Sequence, residues 1–228
     1  PTSLQRTEEV YRTSVAADGV TGNDVIASVV RHRVPLSRTV GPHPAACDWI
    51  SYLRFRSASG PSSPQRAARI LVAQPGIMEG AGAFEPVARN TVAAAAARGE
   101  HIEFWALDRR SNCLEDHTGL LAGVEQGSAQ PAIDYYFRGK PVHGKTFDGF
   151  TDVVQNVTEH AWLRHIGLRQ TLDDQYAIMA AEVPDQRLRK QKMLCGGHSL
   201  GGFITGYFAE WDFDGDPRTR ADAGYNQC

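Results

Sequence analysis

Residues 193–208 have the sequence MLCGGHSLGGFITGYF, and the glycines and the serine within it decide the fold prediction. An apolar run ends at paired glycines, the turn GHSLG (residues 197–201) follows, and an apolar segment with helical spacing comes next. A serine on a sharp turn requires glycine two residues before and after it, because side chains there would collide. The pattern predicts a strand over residues 190–197, a strained turn at Ser199 and a helix over residues 200–213.

Ser199 is the candidate nucleophile of the chain. A turn of this kind lifts the serine Oγ above the edge of a sheet. The N-terminal amides of the following helix then point toward the negative charge that develops in acyl transfer. The competing interpretation is a structural Gly-Ser turn, since the five-residue pattern alone is common. The flanking strand and helix favour the nucleophile.

The chain before this turn has the pattern of one α/β domain. Residues 68–76 and 101–108 are short apolar runs typical of buried strands. Residues 85–99 between them carry an early proline, an alanine-rich body and a closing glycine, which together predict a helix. Strand, helix and strand in this order form a βαβ unit with parallel strands. Residues 25–36 and 47–57 have the alternating, β-branched character of two earlier strands.

The remaining segments complete the predicted organisation. Residues 1–24 are polar and weakly patterned and are interpreted as an N-terminal arm, and residues 25–228 as the domain. Within the domain, residues 111–170 form a turn-rich insertion that we expect to cap a site. Residues 171–183 predict a helix whose first turn has the spacing of a capping box, and Thr171 and Asp174 would form that box.

The predicted helix over residues 200–213 has one apolar face. The residues that form this face are Phe203, Ile204, Tyr207, Phe208 and Trp211. A face of this width packs against a sheet.

Composition excludes several classes of partner. The formal net charge of −2 gives no reason to expect nucleic acid or an anionic membrane. No apolar run approaches the roughly 20 residues that a membrane span needs. The spacings of the four cysteines suit no zinc site. We expect no metal and no cofactor.

Three aspartates after the helix resemble part of a calcium loop. Asp212, Asp214 and Asp216 occupy its first three positions, but Pro217 replaces the glycine and Ala223 stands where the bidentate glutamate belongs. A solvated capping turn is the preferred interpretation.

Taken together, these strands and the GHSLG turn resemble the α/β-hydrolase family over about residues 25–228. In that family two early strands pair antiparallel, and the loop after the third strand supplies an oxyanion amide. The nucleophile turn follows the fifth strand. The fifth predicted strand of this chain leads into Ser199. The resemblance therefore implies a mostly parallel α/β-hydrolase-type sheet with flanking helices, here lacking the C-terminal strands.

The resemblance also implies roles for individual residues. Ser199 would attack, the Leu200 N–H would be one oxyanion donor, and the Ile77 N–H would be the other. We expect His198 to support the turn, because a neighbour on such a turn points away from Oγ. The residues expected at the pocket are Gly76, Met78, His117 and His198.

The base and the acid of a triad are missing after Ser199. The family order is serine, acid and then histidine, yet no histidine follows Ser199 in this sequence. A serine without a base is a weak nucleophile at neutral pH. We therefore expect the C-terminal half of the fold on a second polypeptide, tightly associated with the open sheet edge. Alternatively, an upstream histidine such as His117 or His143 folds over Ser199.

The expected activity is that of a serine hydrolase that cleaves a small-molecule ester through an acyl-enzyme, like a carboxylesterase or lipase. Thioester, lactone and peptide substrates stay open. The alternative from another class is a non-catalytic α/β-hydrolase-like binding or structural module, which kept the turn and lost the triad.

The family's strand order further implies a disulfide. Its second strand neighbours the fourth and runs antiparallel to it, so Cys47 and Cys113 would lie at one sheet edge, within the about 5.5 Å that a bridge needs. A bridge there indicates a secreted or extracytoplasmic protein. Without a bridge, a cytoplasmic location stays open. Cys195 is interpreted as a buried free thiol, and Cys228 as free or paired within the missing half.

Overall fold

The computed structural model describes residues 4–11, 25–148 and 160–228. Parts of two predicted segments lie outside the described residues. They are residues 1–3 and 12–24 of the N-terminal arm and residues 149–159 of the insertion.

The described residues form an α/β structure with a six-stranded mixed sheet in the order β1-β2-β3-β5-β4-β6. The strands are β1 (Arg6–Tyr11), β2 (Val25–Arg33), β3 (Trp49–Ser57), β4 (Ile70–Gln74), β5 (Glu103–Leu107) and β6 (Met193–Gly197). β1, β2, β3 and β5 pair antiparallel, and β4 pairs in parallel with both β5 and β6. The predicted βαβ unit is confirmed. The parallel part is limited to β5, β4 and β6, whereas the resemblance implies a mostly parallel sheet.

The described helices are α1 (Glu85–Ala96), α2 (Thr118–Gln126), α3 (Gln130–Arg138), α4 (Leu168–Glu182), α5 (Gln186–Lys192) and α6 (Leu200–Glu210). α1 packs on one face of the sheet and α4 and α6 pack on the other, whereas α2 and α3 pack on each other. None of the described helices is long and apolar enough to cross a membrane.

Two apolar cores result from the alternation of side chains along the strands. On one face, Ala88 and Val92 of α1 pack with Phe55 of β3. On the other face, α4 and α6 pack on a larger core whose buried members include Tyr52, Trp105, Ile178, Ile204 and Phe208. Each large apolar side chain buried in this way contributes about 1.5–3 kcal/mol.

The N-terminal arm contains a strand that sequence analysis missed. β1 pairs antiparallel with β2, and its sequence RTEEVY lacks an apolar alternating face. Polar contacts hold it in place: Arg6 Nε donates to Glu182 Oε1 at 2.7 Å, and Ser28 Oγ donates to Glu8 Oε1 at 2.7 Å.

Three predicted boundaries in the C-terminal part of the chain are wrong. Helix α6 ends at Glu210 and not at residue 213, because the backbone of Trp211 is extended (φ −78°, ψ 134°), so Trp211 is not part of the predicted helical face. Residues 190–192 belong to α5 and not to a strand, because Asp185 caps this helix by accepting a hydrogen bond from the Arg187 amide. Helix α4 begins at Leu168. Asp174 is therefore not a capping residue; it is buried and paired with Arg110, whose Nε lies 3.0 Å from Asp174 Oδ2.

The predicted Cys47–Cys113 bridge is confirmed, with Cα atoms 5.2 Å apart. The predictions for the other two cysteines are wrong, because Cys195 and Cys228 form a second bridge with a Cα distance of 5.7 Å. The chain end returns to β6 because Arg189 Nε donates to Gln227 Oε1 at 2.8 Å. Two disulfides are typical of proteins outside the reducing cytosol.

Glu182 joins β1, β2 and α4 through one carboxylate. Its Oε1 accepts from Arg6 Nε and lies 2.8 Å from His32 Nε2. Burial alone would raise the pKa of Glu182, but the hydrogen bonds with His32 and Arg6 outweigh it and lower the pKa to about 2. A carboxyl with a lowered pKa in the folded protein stabilises the fold above its ordinary pKa, and that contribution is lost as the pH falls toward the folded value.

We expect Glu182→Gln to lower the free energy of unfolding by roughly 3 kcal/mol near neutral pH, because a pKa shift from 4.5 to about 2 corresponds to that energy. Urea titrations should show the difference from wild type shrinking as the pH falls from about 5 toward 2. Glu9→Gln, an exposed change in the same strand as Arg6, is the control. A loss of stability in Glu182→Gln that does not change with pH would show that the ionised Glu182 carboxylate is not its cause.

The second bridge closes a sequence separation of 33 residues. Replacing Cys195 and Cys228 together by serine should lower the free energy of unfolding by about 3–4 kcal/mol through greater freedom of the unfolded chain. In the wild type, intact-mass measurement should find all four cysteines alkylated only after reduction. In the double variant, Cys47 and Cys113 should stay protected from alkylation by their own bridge until it is reduced. Alkylation of the unreduced wild type at Cys228 would refute the bridge.

Candidate functional site

Ser199 joins β6 to α6 in a strained backbone conformation. Its φ is 53° and its ψ is −118°, and its side chain makes no capping hydrogen bond to the helix. A positive φ is uncommon outside glycine and occurs mainly where the surrounding structure enforces it. Ser199 is exposed. The strained turn predicted from the sequence is present, with its hydroxyl open to solvent.

The two glycines around Ser199 are required by close backbone packing. A Cβ on Gly197 would lie 2.4 Å from the carbonyl carbon and oxygen of Gly201. A Cβ on Gly201 would lie 2.0 Å from the carbonyl oxygen of Gln74. The turn therefore packs directly on the end of β4.

Backbone hydrogen bonds connect this turn to the sheet and start the helix. The His198 N–H donates to Gln74 O at 3.1 Å, and the Gly201 N–H donates to His198 O at 2.8 Å. The first amides of a helix have no acceptor within it and carry partial positive charge. The Leu200 N–H, one residue after Ser199, is the first of these amides.

The β4 loop, residues 75–79, follows β4 beside this turn. The Gly76 N–H donates to Glu79 Oε2 at 2.6 Å, and the Glu79 N–H donates to Gly76 O at 3.2 Å. Between these bonds lie Ile77 and Met78, whose exposed fractions of 72% and 94% place both side chains in solvent. The backbone of the loop is ordered by its own glutamate.

His198 pairs with that glutamate. Its Nδ1 lies 3.0 Å from Glu79 Oε2. The hydrogen bonds with His198 and with the Gly76 amide lower the pKa of Glu79. The His198 side chain thus connects the serine turn to the β4 loop.

Arg109 also binds the β4 loop. Its Nη1 donates to Pro75 O at 2.8 Å. Its Nη2 donates to Gly76 O and lies 3.2 Å from the carbonyl oxygens of Ile77 and Glu79. Neither Arg109 nor Glu79 was predicted as a site residue from the sequence. The signal available was an arginine directly after the β5 segment, at the sheet edge to which Ser199 was assigned.

The upstream histidines lie elsewhere. His117 Nε2 is 2.8 Å from Glu115 Oε2, and His143 Nε2 is 3.7 Å from Glu125 Oε2. His117 lines a cavity of about 780 Å³ between β2, β3 and the segment after β5. Neither histidine pairs with Ser199 in the part of the chain that the structure describes.

A groove of about 550 Å³ runs from Ser199 along α6. It is lined by Ser199, Gly202, Phe203, Gly206, Tyr207 and Glu210. Of the residues expected at the pocket, none lines this groove, because the open side of the site is formed by the helix and not by the β4 loop.

The predicted apolar face of α6 is divided between core and solvent. Ile204 and Phe208 are buried, whereas Phe203 and Tyr207 have exposed fractions of 73% and 56%. Leu194 of β6 is also 54% exposed, but on the opposite face of the sheet, because it aligns with Leu71 of β4 on the α1 side. β6 is the last strand of the described sheet. Exposed apolar side chains therefore lie on both sides of an unpaired sheet edge, Phe203 and Tyr207 of α6 on one side and Leu194 on the other.

The acidic turn after α6 brings three carboxylates together. Oxygens of Asp212, Asp214 and Asp222 lie within 4.8 Å of one another. Backbone amides donate into the turn, including the Asp214 N–H to Asp222 Oδ2 at 2.5 Å. These bonds are typical of a capping turn.

Comparison with protein-family models finds no matching family, and comparison with curated proteins finds no matching relative.

Two glycines of α6 form a matched pair for testing the packing of the turn. Gly201→Ala should destabilise the protein by roughly 2–3 kcal/mol, because its Cβ meets the Gln74 carbonyl and the backbone must shift. Gly206→Ala meets nothing within 4 Å and should stabilise the helix by up to about 1 kcal/mol. Thermal unfolding of both variants provides the measurement. Equal effects of the two substitutions would show that the close contact does not exist.

Proposed function

We propose that this chain is the nucleophile-bearing part of an α/β-hydrolase-type serine hydrolase that cleaves an ester. The observation that carries the proposal is the positive φ of Ser199 at the β6–α6 junction. Such strain persists only where the surrounding structure enforces it, and it is concentrated at active sites. The obligatory glycines on either side of Ser199 supply that enforcement.

The strand order supports the assignment. From β2 onward, an antiparallel pair precedes the parallel strands, β3 neighbours β5, and Ser199 follows the fifth strand of this set. This is the arrangement that the resemblance implies. β1 is an addition at the edge of the sheet.

The proposed chemistry proceeds in two steps. Ser199 Oγ attacks the ester carbonyl carbon, a base takes the hydroxyl proton, and the carbonyl π electrons move to the oxygen. The Leu200 and Ile77 amides donate to that oxyanion. The intermediate collapses and releases the alcohol, which takes up the proton. Water then cleaves the acyl-Ser199 ester by the same route and releases the carboxylic acid.

The base and the acid come, in this proposal, from polypeptide other than these 228 residues. No histidine follows Ser199, and both His117 and His143 pair with glutamates of the insertion. The edge of β6, unpaired among the described strands, would bind this polypeptide as a further strand. A covering helix would pack on the exposed side chains of Phe203 and Tyr207. Covering Phe203 and Tyr207, which line the groove beside Ser199, would close it into an apolar pocket for the acyl group.

A fluorophosphonate probe tests the proposal on the complete natural protein with any chain that co-purifies. We expect labelling at Ser199, its loss in Ser199→Ala, and unchanged labelling in Ser62→Ala, which alters an exposed serine in the loop before β4. The 228-residue chain alone should react at least about 10³-fold more slowly, because it lacks the base.

Absence of labelling in the complete assembly would favour a non-catalytic binding or structural module with the same fold. Equal labelling of the isolated chain would instead place the base within these residues.

A further inference from the structure

We propose that Arg109 is a positioning residue that aims the Ile77 N–H at the oxyanion. The inference rests on the proposed function and deepens it, because it identifies what holds the second donor in place. Ile77 itself is highly exposed, so its own side chain cannot fix the orientation of its amide by packing.

The planarity of the peptide bond ties the direction of the Ile77 N–H to that of the Gly76 carbonyl. The Gly76 carbonyl and the Ile77 N–H belong to one trans peptide unit and point in opposite directions. Arg109 Nη2 donates to that carbonyl. The guanidinium therefore holds one end of the peptide plane and directs the Ile77 N–H away from Arg109.

The preceding peptide plane is held at both ends. Its carbonyl, from Pro75, accepts from Arg109 Nη1 at 2.8 Å. Its N–H, from Gly76, donates to Glu79 Oε2 at 2.6 Å. With this plane fixed, rotation of the next one is limited to the two dihedrals of Gly76. The Arg109 contact to Gly76 O restrains those dihedrals directly.

The same network connects the donor to the nucleophile. Glu79 Oε2, which holds the Gly76 amide, also lies 3.0 Å from His198 Nδ1. His198 adjoins Ser199, and its backbone N–H donates to Gln74 O. The serine turn is thus joined to the β4 loop by the side-chain contact of His198 with Glu79, and to the end of β4 by a backbone hydrogen bond.

Arginine is suited to this task by its shape. Its planar guanidinium offers five donors in a rigid fork, whereas a lysine ammonium is a compact point charge on a flexible stem. Arg109 uses two nitrogens to reach four carbonyl oxygens of one loop. A lysine could neutralise the same carbonyl dipoles but could not hold two peptide planes at once.

The test uses Arg109→Gln and Arg109→Lys in the complete natural protein, with ester hydrolysis as the assay. Loss of one oxyanion donor costs roughly 10²–10³ in kcat. We expect Arg109→Gln to lower kcat roughly 100-fold with little change in KM, because the donor acts in the transition state. Arg109→Lys should recover only a small part of this loss.

Two further measurements separate positioning from folding. Affinity for a trifluoromethyl ketone, which mimics the tetrahedral intermediate, should fall in parallel with kcat. Added methylguanidinium should partly restore kcat to Arg109→Ala, and a merely unstable variant would not respond in this way. Arg98→Gln, an exposed arginine after α1, is the matched control and should behave as wild type.

The possible failures are distinguishable. Wild-type kcat and unchanged ketone affinity in Arg109→Gln would overturn the positioning role and leave the hydrolase proposal intact. A fall in kcat that follows thermal stability, without loss of ketone affinity and without rescue, would also overturn it. A wild-type assembly that neither hydrolyses esters nor reacts at Ser199 would refute both proposals.

Discussion

The contact between the Gly201 backbone and the carbonyl of Gln74 is the constraint on which the rest of the site depends. A Cβ at Gly201 would lie 2.0 Å from that oxygen, so the start of α6 packs against the end of β4 with no intervening side chain. Ser199 must then take a positive φ to turn the chain from β6 into the helix. This direct contact between the backbones of α6 and β4 brings the strained serine close to the β4 loop. It also places the first amides of the helix there.

Charged side chains hold the elements around this contact. Arg110 joins the segment after β5 to α4 through Asp174, and its Nη1 also donates to Cys47 O at 2.9 Å. Arg109, the preceding residue, binds the carbonyls of the β4 loop. One pair of arginines therefore fixes the segment after β5 to the helix layer on one side and to the site on the other. The guanidinium of Arg110 is buried and needs such hydrogen-bonded surroundings.

Sequence patterns correctly predicted the elements whose formation depends on residues that are close together in the chain. Short apolar runs, the early proline of α1 and the glycine spacing around Ser199 act within a few residues, and the elements that they predict are present. Strand β1 was missed because polar contacts to other elements hold it and not an apolar face: an ion pair between Arg6 and Glu182, and a hydrogen bond from Ser28 to Glu8. The Cys195–Cys228 bridge was missed because the return of the chain end depends on Gln227 and Arg189, which no spacing connects.

The sequence by itself determined that a serine stands on a glycine-flanked turn between a strand and a helix. This follows because steric exclusion of a side chain acts between neighbouring residues. Only the tertiary structure decided which groups surround that serine. His198 pairs with Glu79, Arg109 binds four carbonyls of the β4 loop, and the groove beside Ser199 is formed by α6. These contacts join residues about 30 to 120 positions apart, and their geometry is set by the order of strands in the sheet.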